Sequence, residues 1–228
     1  MAFRKKASKI LDLKPDLIVL QECEHKSKLL KALPDLKYNQ IIWHGRNEHK
    51  GVCVISLNDW EVVLKSDHNE DIDYFLPLRL KGTREIDLYA IWAMPYKGST
   101  LKSYVGRVWA GIHYYSDQLN DDAILIGDYN SNAIWDKGRS IGKHTDVVDF
   151  LKEKNIVSFY HKRKRAIPGK EKDATFYMYK NLDKPYHIDY CFATESLLTR
   201  KVKLKIGDPA EWIKMSDHMP LIIDKILD

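Results

Sequence analysis

Four short polar clusters in this sequence carry the residue types of acid–base and metal-assisted chemistry. They are Gln21-Glu22, Asp128-Tyr129-Asn130, His187-Ile188-Asp189 and Ser216-Asp217-His218, and each stands at the end of an apolar run. Aspartate and glutamate are seldom buried unless they are paired or bound to a metal. One such cluster is an ordinary loop; four at strand ends point to a site. If those ends converge, Glu22, Asp128, Asp189 and Asp217 share a site with one histidine. So many carboxylates repel each other without a cation. Their hard oxygens suit Mg²⁺ or Mn²⁺, not zinc.

The elements that must position these groups are legible in outline. Residues 123–130, Ala-Ile-Leu-Ile-Gly-Asp-Tyr-Asn, read as a short buried strand that ends on a glycine. Asp128 and Asn130 are two apart, so they point the same way if the strand direction continues. Residues 17–20 form a second apolar run leading straight into Gln21-Glu22. Residues 51–57 and 61–65 look like strands joined at Asn58-Asp59, and residues 74–80 and 86–93 like a pair joined at Lys81-Gly82-Thr83. Further strands are expected at 38–43, 175–179, 187–193, 202–206 and 219–224. The apolar stripe Leu101, Tyr104, Val105, Val108, Ile112, Tyr115, Leu119 predicts a helix over 101–119. Another helix is expected from the first residues to Lys14-Pro15, with Phe3, Ala7, Ile10 and Leu11 on one face, and a third over 147–154 behind Thr145-Asp146. Residues 29–46 otherwise read as loop, and the basic run 161–173 as irregular. Hairpins mixed with packed helices suggest an α/β fold with two sheets face to face.

Composition narrows the class. The 228 residues, 44% hydrophobic with six Trp and thirteen Tyr, suit one domain, 1–228, with a sizeable core. The net charge of +5 fits an anionic substrate and equally a merely basic surface. Cys23, Cys53 and Cys191 follow no metal-binding or disulfide spacing, which favours small buried fillers in a reducing, cytoplasmic setting. No apolar run approaches the ~20 residues of a membrane helix. A monomer is expected.

Taken in order, Leu-Ile-Val-Leu-Gln-Glu, Gly-Asp-Tyr-Asn, His-Ile-Asp-Tyr and Ser-Asp-His resemble the endonuclease/exonuclease/phosphatase superfamily, the DNase I-like enzymes. The resemblance spans nearly the whole chain. It implies a four-layer α-β-β-α sandwich of two mostly antiparallel or mixed sheets, with the site at one edge. It also implies a Mg²⁺-dependent phosphohydrolase, Mn²⁺ being the other candidate ion, acting as a phosphodiesterase on nucleic acid. Two alternatives stand beside it: an enzyme for a small-molecule or lipid phosphoester, and a non-catalytic binding module on the same fold. By resemblance, Glu22 is the metal-binding glutamate and Asp217 a metal-proximal aspartate. Asp128 positions or activates the attacking water, Asn130 donates to a phosphoryl oxygen, His218 contacts the scissile phosphate, and Asp189 orients His218. Asp128 and His218 both have the chemistry to take the water proton. The resemblance further implies a first strand ending in a supporting asparagine, on the order of ten residues, upstream of where Met1 stands; on that reading the sequence is N-terminally truncated.

Weaker candidates remain open between two readings. Trp92 lines the pocket or packs in the core. His161–Arg165 tracks a phosphate backbone, with Arg163 and Arg165 as contacts and Tyr160 or Trp135 stacking on a base, or is a solvated loop. His187, two residues before Asp189, shares the pocket or lies beside it. His144 reaches the site or sits on the surface; Arg107 reaches it or forms a surface ion pair. Thr175 is expected to be structural.

Overall fold

The computed structural model describes residues 3–95, 103–119, 122–138 and 141–227. In chain order the elements are α1 (Ala7–Leu11), β1 (Leu17–Cys23), α2 (Lys26–Ala32), β2 (Gln40–Asn47), β3 (Lys50–Ser56), β4 (Glu61–Leu64), β5 (Phe75–Lys81) and β6 (Glu85–Trp92). There follow α3 (Tyr104–Tyr114), β7 (Ala123–Asp128), α4 (His144–Glu153), β8 (Ile156–Ser158), α5 (Phe159–Lys164), β9 (Phe176–Tyr177) and β10 (Pro185–Tyr186). The chain closes with β11 (Asp189–Thr194), β12 (Lys203–Ile206), α6 (Pro209–Trp212) and β13 (Leu221–Asp224).

Strand alternation builds the layers. Along β3, Val52 and Val54 face one way and Cys53 and Ile55 the other; along β7, Ile124 and Ile126 oppose Ala123 and Leu125. One face of the sheet β1-β3-β2 therefore packs on one face of the six-stranded sheet β4-β5-β6-β7-β11-β8, burying Val52, Val54, Leu78, Leu88 and Ile124 between them. Phe3, Ala7 and Leu29 cover the outer face of the smaller sheet. Val105, Val108 and Ile112 of α3, with Val147 and Leu151 of α4, cover the outer face of the larger. This is the expected α-β-β-α order. Within the six-stranded sheet all ladders are antiparallel except β6·β7, whose ends are joined across α3. Among the described residues no helix is long and apolar enough to cross a membrane.

Several sequence expectations are corrected. Strands 51–57 and 61–65 are not a hairpin: β3 pairs with β1 and β2, while β4 pairs with β5 in the other sheet. Local turn chemistry at Asn58-Asp59 does not reveal that the chain changes sheets there. Helix α2 lies in a stretch read as loop, because only Leu29 of its residues is buried and the apolar pattern is weak. The run 161–165 is not irregular; His161–Lys164 continue α5, which Phe159 and Tyr160 anchor by burial. Helix α4 starts earlier than expected, because Asp136 accepts from the backbone N–H of His144 and Thr145 at 2.8 and 2.9 Å. Helix α3 begins at Tyr104, capped by Ser103; Leu101, expected in it, lies outside the described residues.

β1 is an outer strand of its sheet, and β13 pairs with β12 alone. Both line one cleft of about 710 Å³, floored by Leu88, Ile124 and Ile126 and opening on the polar clusters.

Candidate active site

Strand pairing brings the site together. Asp189, first residue of β11, stands directly opposite Asp128, last residue of β7, and Trp92 lies beside Asp128 on the parallel neighbour β6. Asp128 has the same strand parity as Ile124 and Ile126, and Asp189 that of Cys191 and Ala193, so both carboxylates face the inter-sheet layer at its open edge. Gly127 makes this junction possible. Its φ is +148°, and a Cβ there would lie 1.9 Å from the Ile91 carbonyl oxygen and 3.0 Å from Gln21 Nε2.

Two of the functional candidates have left-handed backbones. Glu22 has φ 55° and sits where the β1·β3 register shifts between Leu20 and Cys23, a bulge that re-aims its side chain. Asn130 has φ 46°. Non-glycine residues persist in this region only where their surroundings dictate it, often at active sites.

The curl at Asn130 turns its backbone N–H and its side chain onto Asp128. Its backbone N–H donates to Asp128 Oδ1 at 2.8 Å, and its amide Nδ2 donates to Asp128 Oδ2 at 2.8 Å and to the Ala93 carbonyl at 2.9 Å. Both amide protons are thus engaged within the protein, and Asn130 holds both oxygens of Asp128. Asp128 is 4% exposed. Burial first, then the charge of Asp189, pushes its pKa up to about 8, against the pull of His218.

His218 comes from the other end of the chain. Its Nδ1–H donates to both carboxylate oxygens of Asp189, at 3.1 and 3.0 Å, which leaves Nε2 for the cleft. Phe176 flanks the ring at 4.6 Å between centroids, and Met219 N–H donates to the Thr175 carbonyl. Thr175 Oγ1 in turn accepts from the backbone N–H of Ile188 and Asp189, each at 3.0 Å, the structural role expected of it. Burial disfavours the imidazolium, but Asp189, Asp128 and Asp217 outweigh it and lift the pKa to about 9.

Ligand atoms of Asp128, Asp189 and His218 lie within 4.8 Å of one another. Glu22 and Asp217 line the same cleft without joining that tight group. Glu22 Oε1 is 3.1 Å from Lys50 Nζ, and its pKa is lowered despite its burial. The oxygen-rich donor set of Asp128, Asp189, Glu22 and Asp217 fits a hard divalent cation.

Lys6 has no counterpart in the sequence reading. It precedes α1, lines the cleft, and its Nζ is 3.5 Å from Ser216 Oγ. Burial lowers its pKa against the pull of Asp217, Asp189 and Glu22. It sits among Arg4, Lys5 and Lys9, and nothing local distinguishes it from them.

The weaker candidates sort differently from expectation. Trp92 is buried in the inter-sheet core, 4.7 Å from the Tyr74 ring between centroids. Arg163 donates to the carbonyls of Leu198, Thr199 and Val202 and lies over the Phe159 ring, so it ties α5 to the chain before β12. Arg165 is the left-handed C-cap of α5. Tyr160 is buried, its hydroxyl donating to Asp173, and presents no stacking face. Trp135 remains 39% exposed beside Tyr186. His187 does not join Asp189: it is buried against Tyr160 and Tyr190, with Nδ1 on the Asp173 carbonyl at 2.7 Å. His144 is neither at the surface nor in the site; it is fully buried, Nδ1 on Ser131 Oγ at 2.9 Å, and burial drives its pKa down to about 4. Arg107 forms a largely buried ion pair with Asp73 at 3.4 Å, beside Arg46.

A model of the Endonuclease/Exonuclease/phosphatase family matches residues 7–218. An AP endonuclease from Archaeoglobus fulgidus superposes with a TM-score of 0.69 at 21% identity, over 97% of this chain and 95% of that one. A 3'-5' exonuclease (NExo) from Neisseria meningitidis gives 0.67 at 14% identity, covering 98% and 96%. A 3' phosphatase NExo from Neisseria, bound to product DNA hairpin, gives 0.66 at 12% identity, covering 98% and 95%. At these identities the likeness is one of fold. No curated protein matches the sequence.

Proposed function

Because the chain belongs to the endonuclease/exonuclease/phosphatase family, we propose that it is a Mg²⁺-dependent phosphodiesterase acting on nucleic acid. The observation that carries this reading is the convergence of Asp128, Asp189 and His218 at one cleft edge, their ligand atoms within 4.8 Å. Mn²⁺ has the same ligand preferences and is the second candidate ion.

The residues divide the work as follows. Asp128 is gripped at both oxygens by Asn130, so its remaining lone pairs face the cleft and hold a water in one orientation. His218, held by Asp189, keeps its proton at neutral pH and turns Nε2–H toward the phosphoryl or leaving oxygen, where negative charge develops. Glu22 and Asp217 would supply oxygens for a divalent ion beside the Asp128–Asp189 pair. When bound, that ion contributes positive charge to the phosphoryl oxygens and lowers the pKa of an attacking water. With a cation nearby, Asp128 would be a carboxylate and could accept the proton of that water.

Nucleic acid as the substrate is supported by the relatives of like fold, among them an AP endonuclease and a phosphatase bound to DNA. A small phosphoester is the second reading, favoured by one observation: Arg163, Arg165 and Tyr160 of the basic stretch serve helix packing and capping. The three cysteines are free and buried, which supports a reducing, cytoplasmic setting.

The test is a substrate panel with Mg²⁺: supercoiled plasmid, abasic duplex, single strand, RNA, bis-p-nitrophenyl phosphate and inositol phosphates. Asp128→Ala and His218→Ala run beside the wild type. Nicking or trimming of nucleic acid, lost in both variants, is the expected result. Turnover of small esters alone favours the second reading. Activity indifferent to both substitutions removes the site.

A further inference from the structure

The hydrolytic site is crowded with negative charge. Glu22, Asp128, Asp189 and Asp217 line one cleft, and a phosphodiester brings another negative charge that grows as water attacks. His218 is one protein cation facing that charge. Lys6 is a second, and neither the family resemblance nor the sequence pattern assigns it a role.

Its placement is specific. Lys6 precedes the first turn of α1 on the outer layer, yet its side chain reaches the cleft and touches Ser216, 210 residues away in the chain. Ser216 Oγ also accepts from the backbone N–H of His218 at 3.1 Å. The ammonium thus lies against the segment that carries Asp217 and His218. The fields of Asp217, Asp189 and Glu22 all act on it. Its hydrogen bond to Ser216, at 3.5 Å, is at the long limit of such contacts. A lysine ammonium has three donors on a flexible stem, so it can exchange this weak bond for a phosphate oxygen without disturbing the fold.

We propose that Lys6 is a substrate-binding residue of this cleft, its ammonium taking a non-bridging oxygen of the phosphoryl group on the Ser216–Asp217 side. The inference rests on the phosphoesterase reading for its substrate, and on the contact with Ser216 for its geometry. Lys6 adds a positive charge to the bound phosphate and offsets the repulsion that Asp217 and Asp189 exert on it.

The experiment compares wild type, Lys6→Met and Lys6→Arg with bis-p-nitrophenyl phosphate and Mg²⁺, and titrates each protein with inorganic phosphate by calorimetry. For a single charge-assisted hydrogen bond, Lys6→Met is expected to raise KM and the phosphate Kd by roughly tenfold. Its melting temperature should stay close to that of wild type. Lys6→Arg keeps the charge and recovers most of both losses. Unchanged KM and phosphate affinity in folded Lys6→Met overturn the proposal. So does a loss in Lys6→Met that Lys6→Arg fails to recover in any part. If Lys6→Met does not fold, Lys6→Gln takes its place with the same two outcomes. Wild-type turnover that survives Asp128→Ala overturns the hydrolase reading alone, since the phosphate titration still reports on Lys6.

Discussion

Asp189 lies directly across the β7·β11 ladder from Asp128, and it accepts both contacts from His218 Nδ1. One carboxylate therefore does two opposite things. It raises the pKa of Asp128 by repulsion and that of His218 by attraction. The titrations of Asp128 and His218 are therefore linked through Asp189.

Asp189→Asn should unhitch His218. The imidazolium is present below about pH 9 because of Asp189, Asp128 and Asp217 together; without Asp189 its pKa falls back toward the ordinary histidine value. The alkaline limb of the kcat/KM profile is expected to move to lower pH, and the plateau to drop by roughly 10²- to 10⁴-fold. A profile of unchanged shape argues that His218 does not act as an acid.

Divalent-ion binding should release a proton. Asp128 titrates at about 8 in the ion-free protein, and a bound cation requires the carboxylate. Below pH 8 the apparent Mg²⁺ affinity is expected to weaken by about tenfold per pH unit. Calorimetric titrations at pH 6, 7 and 8 in buffers of different ionisation enthalpy measure both the affinity and the proton. Affinity independent of pH, with no proton released, contradicts the assignment.

The ion-free protein should lose stability toward alkaline pH. Both groups have folded pKa values above their unfolded ones, so each contributes stability that is complete below the unfolded pKa and lost as pH rises through the folded value. For Asp128 that window ends near 8 and for His218 near 9. The melting temperature is expected to fall from about pH 4 to about pH 9, most steeply between about 6.5 and 8 where both groups contribute, and Mg²⁺ to restore part of the loss. Asp189→Asn should flatten the curve.

Gly127→Ala should unfold the junction of the sheets. The new Cβ meets the Ile91 carbonyl at 1.9 Å on a backbone with φ +148°. A cost of about 3 kcal/mol or more is expected, read by denaturant titration. A change under about 1 kcal/mol, outside the usual range for such a clash, refutes the close packing of β6 on β7.

Arg163→Ala tests whether the basic stretch touches substrate. Its guanidinium holds three backbone carbonyls, so the expected loss is about 1 kcal/mol of stability with KM for nucleic acid unchanged. A raised KM, steeper at low salt, returns Arg163 to the substrate surface.

Much of this was readable in the chain. The four polar clusters and the strands that end in them follow from apolar runs whose lengths and terminators are local properties, and the α-β-β-α order is what the resemblance of those motifs implies. The alternation in 123–130 even determines that Asp128 leaves the core on the same face as Ile124 and Ile126. Other elements escaped because their cause is not local. Leu29 is the one buried residue of α2, and the turn-like Asn58-Asp59 carries no mark of the sheet change from β3 to β4.

The sequence by itself determined which side chains have the chemistry and which strands deliver them, since residue type and period-two spacing are written along the chain. Only the tertiary structure decided how those groups act on one another. That His187 and Arg163 turn away and that Lys6 reaches Ser216 depend on distances between segments far apart in the chain, and that Asn130 grips Asp128 depends on a left-handed turn of the backbone. Hydrogen bonds and buried charges act over a few ångströms, and no spacing in a linear sequence fixes those.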